Sequence, residues 1–224
     1  MTKNWYNASA ALGCGGATQG AATVDCVRTK STQEILNAIL PLQETALASG
    51  FAPIADDVLV PADPTAQGNA GNFSKLPILT GNTDNEASFF VVLEVAYTNL
   101  TQAQFNSVKG ELALIQPLLD AGTLVAFTCP TSQTANFRAK HGVPVWRYRY
   151  YGGNYKNTYI SGAGSDYHTS ELPIVFGTAS EVTGVPDTPA EEQAGPYIRN
   201  VWSTFARTGS LASLGWPQYN ANSE

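Results

Sequence analysis

Leu76 to Thr80, LPILT, is a short apolar run with turn residues on either side, the pattern of a strand buried on both faces. Such a strand has to be covered on both faces by other elements of the chain. Ala87 to Tyr97 then has the pattern of an amphipathic helix. Thr98 to Asp120 predicts a helical hairpin, with Thr101 as an N-cap and Pro117 as a breaker. Val143 to Tyr151, VPVWRYRYY, alternates Val145, Arg147 and Arg149 against Trp146, Tyr148 and Tyr150, which marks a strand with two unlike faces.

Residues 1–13 have a helical pattern, with Trp5, Ala8 and Leu12 on one face and Tyr6 beside it. Ser31-Thr32-Gln33-Glu34 is a capping box, opening a helix expected to bury Ile35, Leu36, Ile39 and Leu40 and to end or kink at Pro41. Phe51 to Gly71, rich in Pro, Asp and Gly, reads as an extended surface crossing. A second capping box with Pro at the first helical position, Thr188-Pro189-Ala190-Glu191, opens a helix towards Arg207 that is expected to bury Tyr197, Ile198, Val201, Trp202 and Phe205.

At 224 residues and 43% hydrophobic, the chain can build one large core or two small ones. A net charge of −6 with only 13% charged residues argues against nucleic acid and anionic membrane surfaces as partners. No apolar run approaches the roughly 18 residues of a membrane span. The start, MTKNWYNASAALG, lacks the basic and apolar regions of a signal peptide, although Asn7, Asn72 and Asn99 head sequons that would suit a secreted glycoprotein. The segment GCGGATQG is no phosphate loop, because Thr18 stands where the third glycine belongs and no strand precedes it. Asp56-Asp57 has no further ligands at useful spacing, so these are read as solvated turn acids; no metal or cofactor is expected. Cys14 and Cys26 are close enough to bridge, but spacing alone serves two separate buried thiols equally well.

The chemistry concentrates in two stretches. His168, one of only two histidines, lies in GAGSDYHTSELPIVFG between a glycine-rich approach and an apolar run, so it is placed on a loop just before a helix. Imidazole is the side chain best matched to proton transfer near neutrality. Upstream, GNTDNEASFF puts the carboxylate Glu86 just past the first strand. His141 reads as a surface turn residue, and Glu171 as a cap or anchor for the helix after His168 and not as a catalytic group.

Gly81 to Glu86 resembles the G-x-x-x-x-E acid segment, and His168 to Gly177 the H-x-x-E-L-x-x-V-F-G segment, of the type-B carboxylesterases, the cholinesterase-like, fungal esterase and lipase branch of the α/β-hydrolases. PIADDVLVPADP is similar to that family's approach to the acid strand, with Asp57 in place of glycine, and WSTFA then WPQY is similar to its closing segments. The resemblance implies hydrolysis of carboxylic esters by a Ser-Glu-His triad, with Glu86 as the acid and His168 as general base. It also implies a Cys14–Cys26 bridge, from GCGG followed by DCVR, and leaves Cys129 as the odd one out. Ala87 stands where many relatives have glycine.

The nucleophile of that triad should sit in a G-x-S-x-G turn, and no such pentapeptide occurs; Ser165, in GAGSD, lacks the strand before it and the glycine after it. No His-Gly-Gly-Gly-type loop supplies oxyanion donors either. Residues 1–224 are therefore expected to be a single, incomplete domain: the C-terminal strands and helices of an α/β-hydrolase fold without its N-terminal strands and nucleophile elbow. Alone it is expected to be inactive, with a small-molecule ester as partner once completed. The alternative is a catalytically silent, cholinesterase-like binding module. Relatives are commonly secreted, but nothing in this sequence fixes the compartment.

Overall fold

The computed structural model describes residues 2–42, 51, 53–97, 101, 103–104, 107, 112–153, 155–160 and 163–220, in two compact units, Met1–Ala62 and Asp63–Glu224. The N-terminal unit contains α1 (Thr2–Ala11), α2 (Ala22–Arg28) and α3 (Thr32–Ile39). Trp5, Ala8 and Leu12 line an apolar hollow of about 190 Å³ with Val27, Ile35, Ile39 and Phe51. The Trp5 indole N–H donates to the buried Thr23 hydroxyl at 2.9 Å. Ser31 accepts from the Glu34 amide while Glu34 accepts from the Ser31 amide, so the capping box forms in full. Leu36 and Leu40, expected to be buried, are 41% and 58% exposed. Ile35 and Ile39, four residues apart, already fill the inward stripe, and their successors are turned about 100° round the helix.

Cys14 and Cys26 are joined by a disulfide. It closes a loop between positions 12 apart in the N-terminal unit. Replacing both cysteines by alanine is expected to cost that unit about 3 kcal/mol, read as an earlier denaturant midpoint of its own transition. An unmoved midpoint would show that the loop is held without the bridge.

Asp57 takes φ +55°, the left-handed region that glycine occupies most readily. Its carboxylate accepts from the Ala62 amide, and that of Asp56 accepts from the amides of Val58, Leu59 and Val60, which hold Asp56 below the usual carboxylate range. The expected extended crossing ends early. Asp63 caps and Pro64 opens α4 (Pro64–Ala70), because an Asn/Asp-type cap followed by proline is a helix start even in a Gly- and Pro-rich setting. Gly68 on α4 lets the Phe137 ring approach so closely that a Cβ there would sit 2.1 Å from it.

The C-terminal unit holds β1 (Ile78–Thr83) and β2 (Val145–Tyr150), parallel and in register from Ile78 opposite Val145 to Thr83 opposite Tyr150. Between them run α5 (Glu86–Tyr97), α6 (Gln116–Thr123) and α7 (Cys129–Lys140), as a parallel crossover requires. This is a partial α/β fold with a two-stranded sheet among the described residues. β1 starts two residues later than LPILT and extends through Gly81–Thr83; Leu76 is 68% exposed. Pro117 opens α6 instead of breaking a helix, which suits its missing N–H. Most of Thr98 to Glu111 lies outside the described residues, although Thr101 accepts from the Gln104 amide.

After β2 come α8 (Leu172–Phe176), α9 (Ala179–Thr183) and α10 (Pro189–Thr208). The Thr188 capping box forms as the sequence predicts. The core lies between sheet and α10: Trp146, Val201 and Leu211 are buried, with Leu79, Trp202, Phe205, Leu214 and Trp216 packed against them. Tyr197 is not part of it; at 55% exposed, it accepts a hydrogen bond from the Trp216 indole at 2.7 Å. Leu172 and Phe176 on α8 are also exposed, with Ile174 the buried residue of that short helix.

Candidate active site

The parallel register brings both strands to an end on the same side, at Thr83 and Tyr150. Past that end the Asp84 amide donates to the Tyr150 carbonyl at 2.8 Å, and the Asp84 carboxylate pairs with Arg149 at 2.6 Å. Asn85 then bridges to Tyr167 in parallel fashion, its amide donating to the Asp166 carbonyl at 3.1 Å. That bridge makes the next residue on each segment a neighbour: Glu86 and His168.

Glu86 is the first residue of α5 and 4% exposed. Its Oε1 accepts from the Thr83 amide at 2.6 Å and its Oε2 from Nδ1 of His168 at 2.6 Å. A carboxylate at a helix N-terminus sits in a favourable field, and here it is satisfied on both oxygens. The α5 start is itself fixed by Thr123, whose hydroxyl accepts from the Ala87 amide at 3.1 Å. The methyl of Ala87 is accommodated by Gly122, where a Cβ would come within 3.1 Å of it.

The His168 side chain is 35% exposed. An ionised carboxylate only accepts, so Nδ1 carries the proton and Nε2 presents a lone pair. Phe90, Phe127 and Phe89 surround the ring at centroid distances of 4.9, 5.2 and 6.2 Å. Thr169, directly after it, holds φ +75°, an uncommon conformation for a β-branched residue and one that turns the chain sharply beside the site.

Phe127 escapes sequence reading. It lies in a wider π-helical turn, Leu124–Thr128, between α6 and α7. Pro130 has no N–H to give Ala126, and its ring would crowd that carbonyl in a regular helix, so the preceding turn opens. The one available signal was a proline four residues past an alanine inside an apolar run.

Glu171 occupies the N-cap position of α8 but makes no side-chain cap there. It is hydrogen-bonded instead with the Tyr148 hydroxyl. Burial raises the proton affinity of Glu171 and the Glu86 charge adds to this, while a backbone hydrogen bond, His168 and Tyr148 pull it back. Burial also pushes the Tyr148 and Tyr150 hydroxyls well above the usual tyrosine range.

Ser165 is buried and donates to the Gly153 carbonyl. His141 is exposed at the end of α7, its Nε2–H donating to the Asn69 carbonyl at 3.0 Å and its ring edge-on to Phe73. Asn7 lies on α1, where Ser9 of its sequon is buried and donates to the Gly15 carbonyl; Asn72 is exposed just past α4, and Asn99 lies outside the described residues. Cys129 is an exposed free thiol at the start of α7. Among the described residues, no group of three or more His, Cys, Asp or Glu could hold a metal ion, and no helix is long and apolar enough to cross a membrane. A hollow of about 370 Å³, lined by Asp84, Asp120, Thr128 and Arg149, adjoins the acid strand end.

The chain is similar to Secreted lipase 5 of Gibberella zeae, 28% identical over 227 residues that cover 97% of this chain and 40% of the relative. It is 25% identical to the para-nitrobenzyl esterase of Bacillus subtilis (88% of this chain, 44% of the relative) and 25% identical to the acetylcholinesterase of Bungarus fasciatus (89% and 39%). It thus spans about two fifths of the length of these curated relatives. The sequence model of the carboxylesterase family matches residues 2–114 and 110–224, essentially end to end, and the chain belongs to that family.

Proposed function

We propose that this chain is the acid–base part of a carboxylic ester hydrolase, a single, incomplete catalytic domain in which His168 is the general base and Glu86 the acid that orients it. The observation that carries this reading is the 2.6 Å contact between His168 Nδ1 and the buried Glu86 carboxylate. In the reaction, Nε2 takes the proton of an attacking serine hydroxyl and then returns it to the leaving alcohol. Glu86 fixes the tautomer and stabilises the imidazolium between those steps. The aromatic rings of Phe89, Phe90 and Phe127 limit the ring's rotation and its access to water.

The serine is supplied by another segment, since the chain has no G-x-S-x-G turn. With p-nitrophenyl acetate, the chain alone is expected to turn over no faster than its His168→Ala variant. Mixed with the separately expressed N-terminal part of the Bacillus subtilis relative, it is expected to hydrolyse the ester, and His168→Ala to abolish that. His168-dependent turnover by the chain alone would refute the assignment of the nucleophile elsewhere. Hydrolysis by the mixture that survives His168→Ala would refute the base. The missing pentapeptide also favours a second reading, a binding module, which takes over if ligand capture persists in a Glu86→Gln, His168→Ala double variant and no mixture is active.

A further inference from the structure

The three helices of the N-terminal unit pack around a hollow of about 190 Å³ that their side chains leave unfilled. Ala8 and Ser9 of α1 are buried beside it, and its wall includes Val27 from α2 and Ile35 and Ile39 from α3. An unfilled apolar space is costly, because the atoms around it lose packing partners on one side. Here α1 and α2 are held from collapsing into it. The Trp5 indole is pinned to Thr23 of α2 at 2.9 Å, and Cys14 is bridged to Cys26 of the same helix. The Ser9 hydroxyl is held on the Gly15 carbonyl at 2.7 Å. The space is therefore built into the unit, in the manner of a preformed ligand site.

The same hydrogen bonds decide what can fill it. The indole N–H of Trp5 and the hydroxyl of Ser9 are the polar side-chain groups on the described wall, and both donate elsewhere. A buried water needs two to four polar partners, which this wall does not offer, so the hollow is dry. A peptide segment would bring amides and carbonyls that find nothing to bond. A hydrocarbon has no such groups to strand. Dry cavities of about 150 Å³ with aliphatic and aromatic walls take up benzene or xenon, so a hollow of about 190 Å³ suits one aromatic ring with a short alkyl group. We propose that this hollow is a binding site for a small apolar molecule, the size of a single alkyl-substituted aromatic ring. The proposal stands apart from the reading of His168 as a base, since Glu86 and His168 both belong to the C-terminal unit.

The test is an NMR titration of the full chain with toluene, following the Trp5 indole N–H and the methyl groups of Ile35 and Ile39. These signals are expected to move saturably, with a dissociation constant of about 1 mM or lower. Nuclear Overhauser contacts should run from the toluene protons to the same methyls. Phenol has nearly the same shape but would leave its hydroxyl unpaired, and should bind at least about tenfold more weakly. Ala8→Leu, which puts a larger side chain into the hollow, should weaken toluene binding at least about tenfold. No saturable movement in the unaltered chain would overturn the proposal, as would phenol binding as tightly as toluene. Undiminished binding in a folded Ala8→Leu chain would do the same. Should that variant not fold, the unaltered chain decides, because toluene without Overhauser contacts to Ile35 and Ile39 also overturns the site. Movement of these methyls on concentrating the chain without toluene would assign the hollow to a second copy instead.

Discussion

Glu86→Gln is expected to lower kcat for ester hydrolysis about 10⁴-fold once a nucleophile is present, with a much smaller change in KM. The size follows from how both oxygens of this carboxylate are committed. Oε1 takes the Thr83 amide and Oε2 takes Nδ1–H of His168. A glutamine has one acceptor to offer to two donors. If its oxygen stays with the buried Thr83 amide, its NH₂ faces Nδ1, which must then accept, and the proton moves to Nε2, the atom that should receive the serine proton. If the amide is turned round, Nδ1–H is satisfied but NH₂ faces the Thr83 amide, leaving a buried donor unpaired at a cost of about 1–3 kcal/mol. Neither orientation keeps both tautomer and fold. The measurement is kcat and KM of the complemented protein, with the ring nitrogen shifts of His168 in the chain alone reporting the tautomer. A loss under about tenfold with the tautomer unchanged would show that Glu86 does not orient the base.

How much of this was legible in advance depends on the range of the interaction that decides it. Capping boxes at Ser31 and Thr188 are local hydrogen-bond patterns, and the structure forms both. The two strands and the helix after Glu86 follow from short-range apolar pattern, with the first strand displaced because Pro77 delays pairing until the Ile78 amide donates to the Pro144 carbonyl. Burial was harder: Leu36, Leu40, Leu172, Phe176 and Tyr197 are apolar enough for a core but lie outside the stripe that meets a neighbour. Pattern gives the period of a helix, while the phase of its buried face depends on what packs against it. The same limit hid Phe127, whose position beside His168 depends on the π-turn before Pro130. Glu171 falls at the N-cap of the helix it was expected to cap or anchor, with its carbonyl accepting from the Val175 amide, but its side chain makes no cap there.

Trp146→Ala is expected to destabilise the C-terminal unit by about 3–5 kcal/mol, the usual cost of emptying an aromatic core site. Trp146 is 2% exposed and meets Val201 and Leu211, with Phe205 edge-on at 5.9 Å. Its indole N–H also donates to the Trp216 carbonyl at 3.2 Å, so truncation leaves that acceptor without its partner as well as opening a void. Trp146→Phe keeps most of the volume and loses the hydrogen bond, and should cost roughly half as much or less. Tyr197→Ala, at an exposed position on the same helix as Val201, is expected to stay within about 1 kcal/mol. Denaturant midpoints of the three variants order these effects, and a Trp146→Ala midpoint equal to that of Tyr197→Ala would show that the sheet is not anchored through this residue. The consequence reaches the site, because β2 is the only strand paired with β1 among the described residues and its Tyr150 carbonyl receives the Asp84 amide two residues before Glu86. Loosening β2 from α10 therefore loosens the segment that aims the carboxylate at His168. In Trp146→Ala the His168 resonances should broaden below the unfolding midpoint, before the global transition begins.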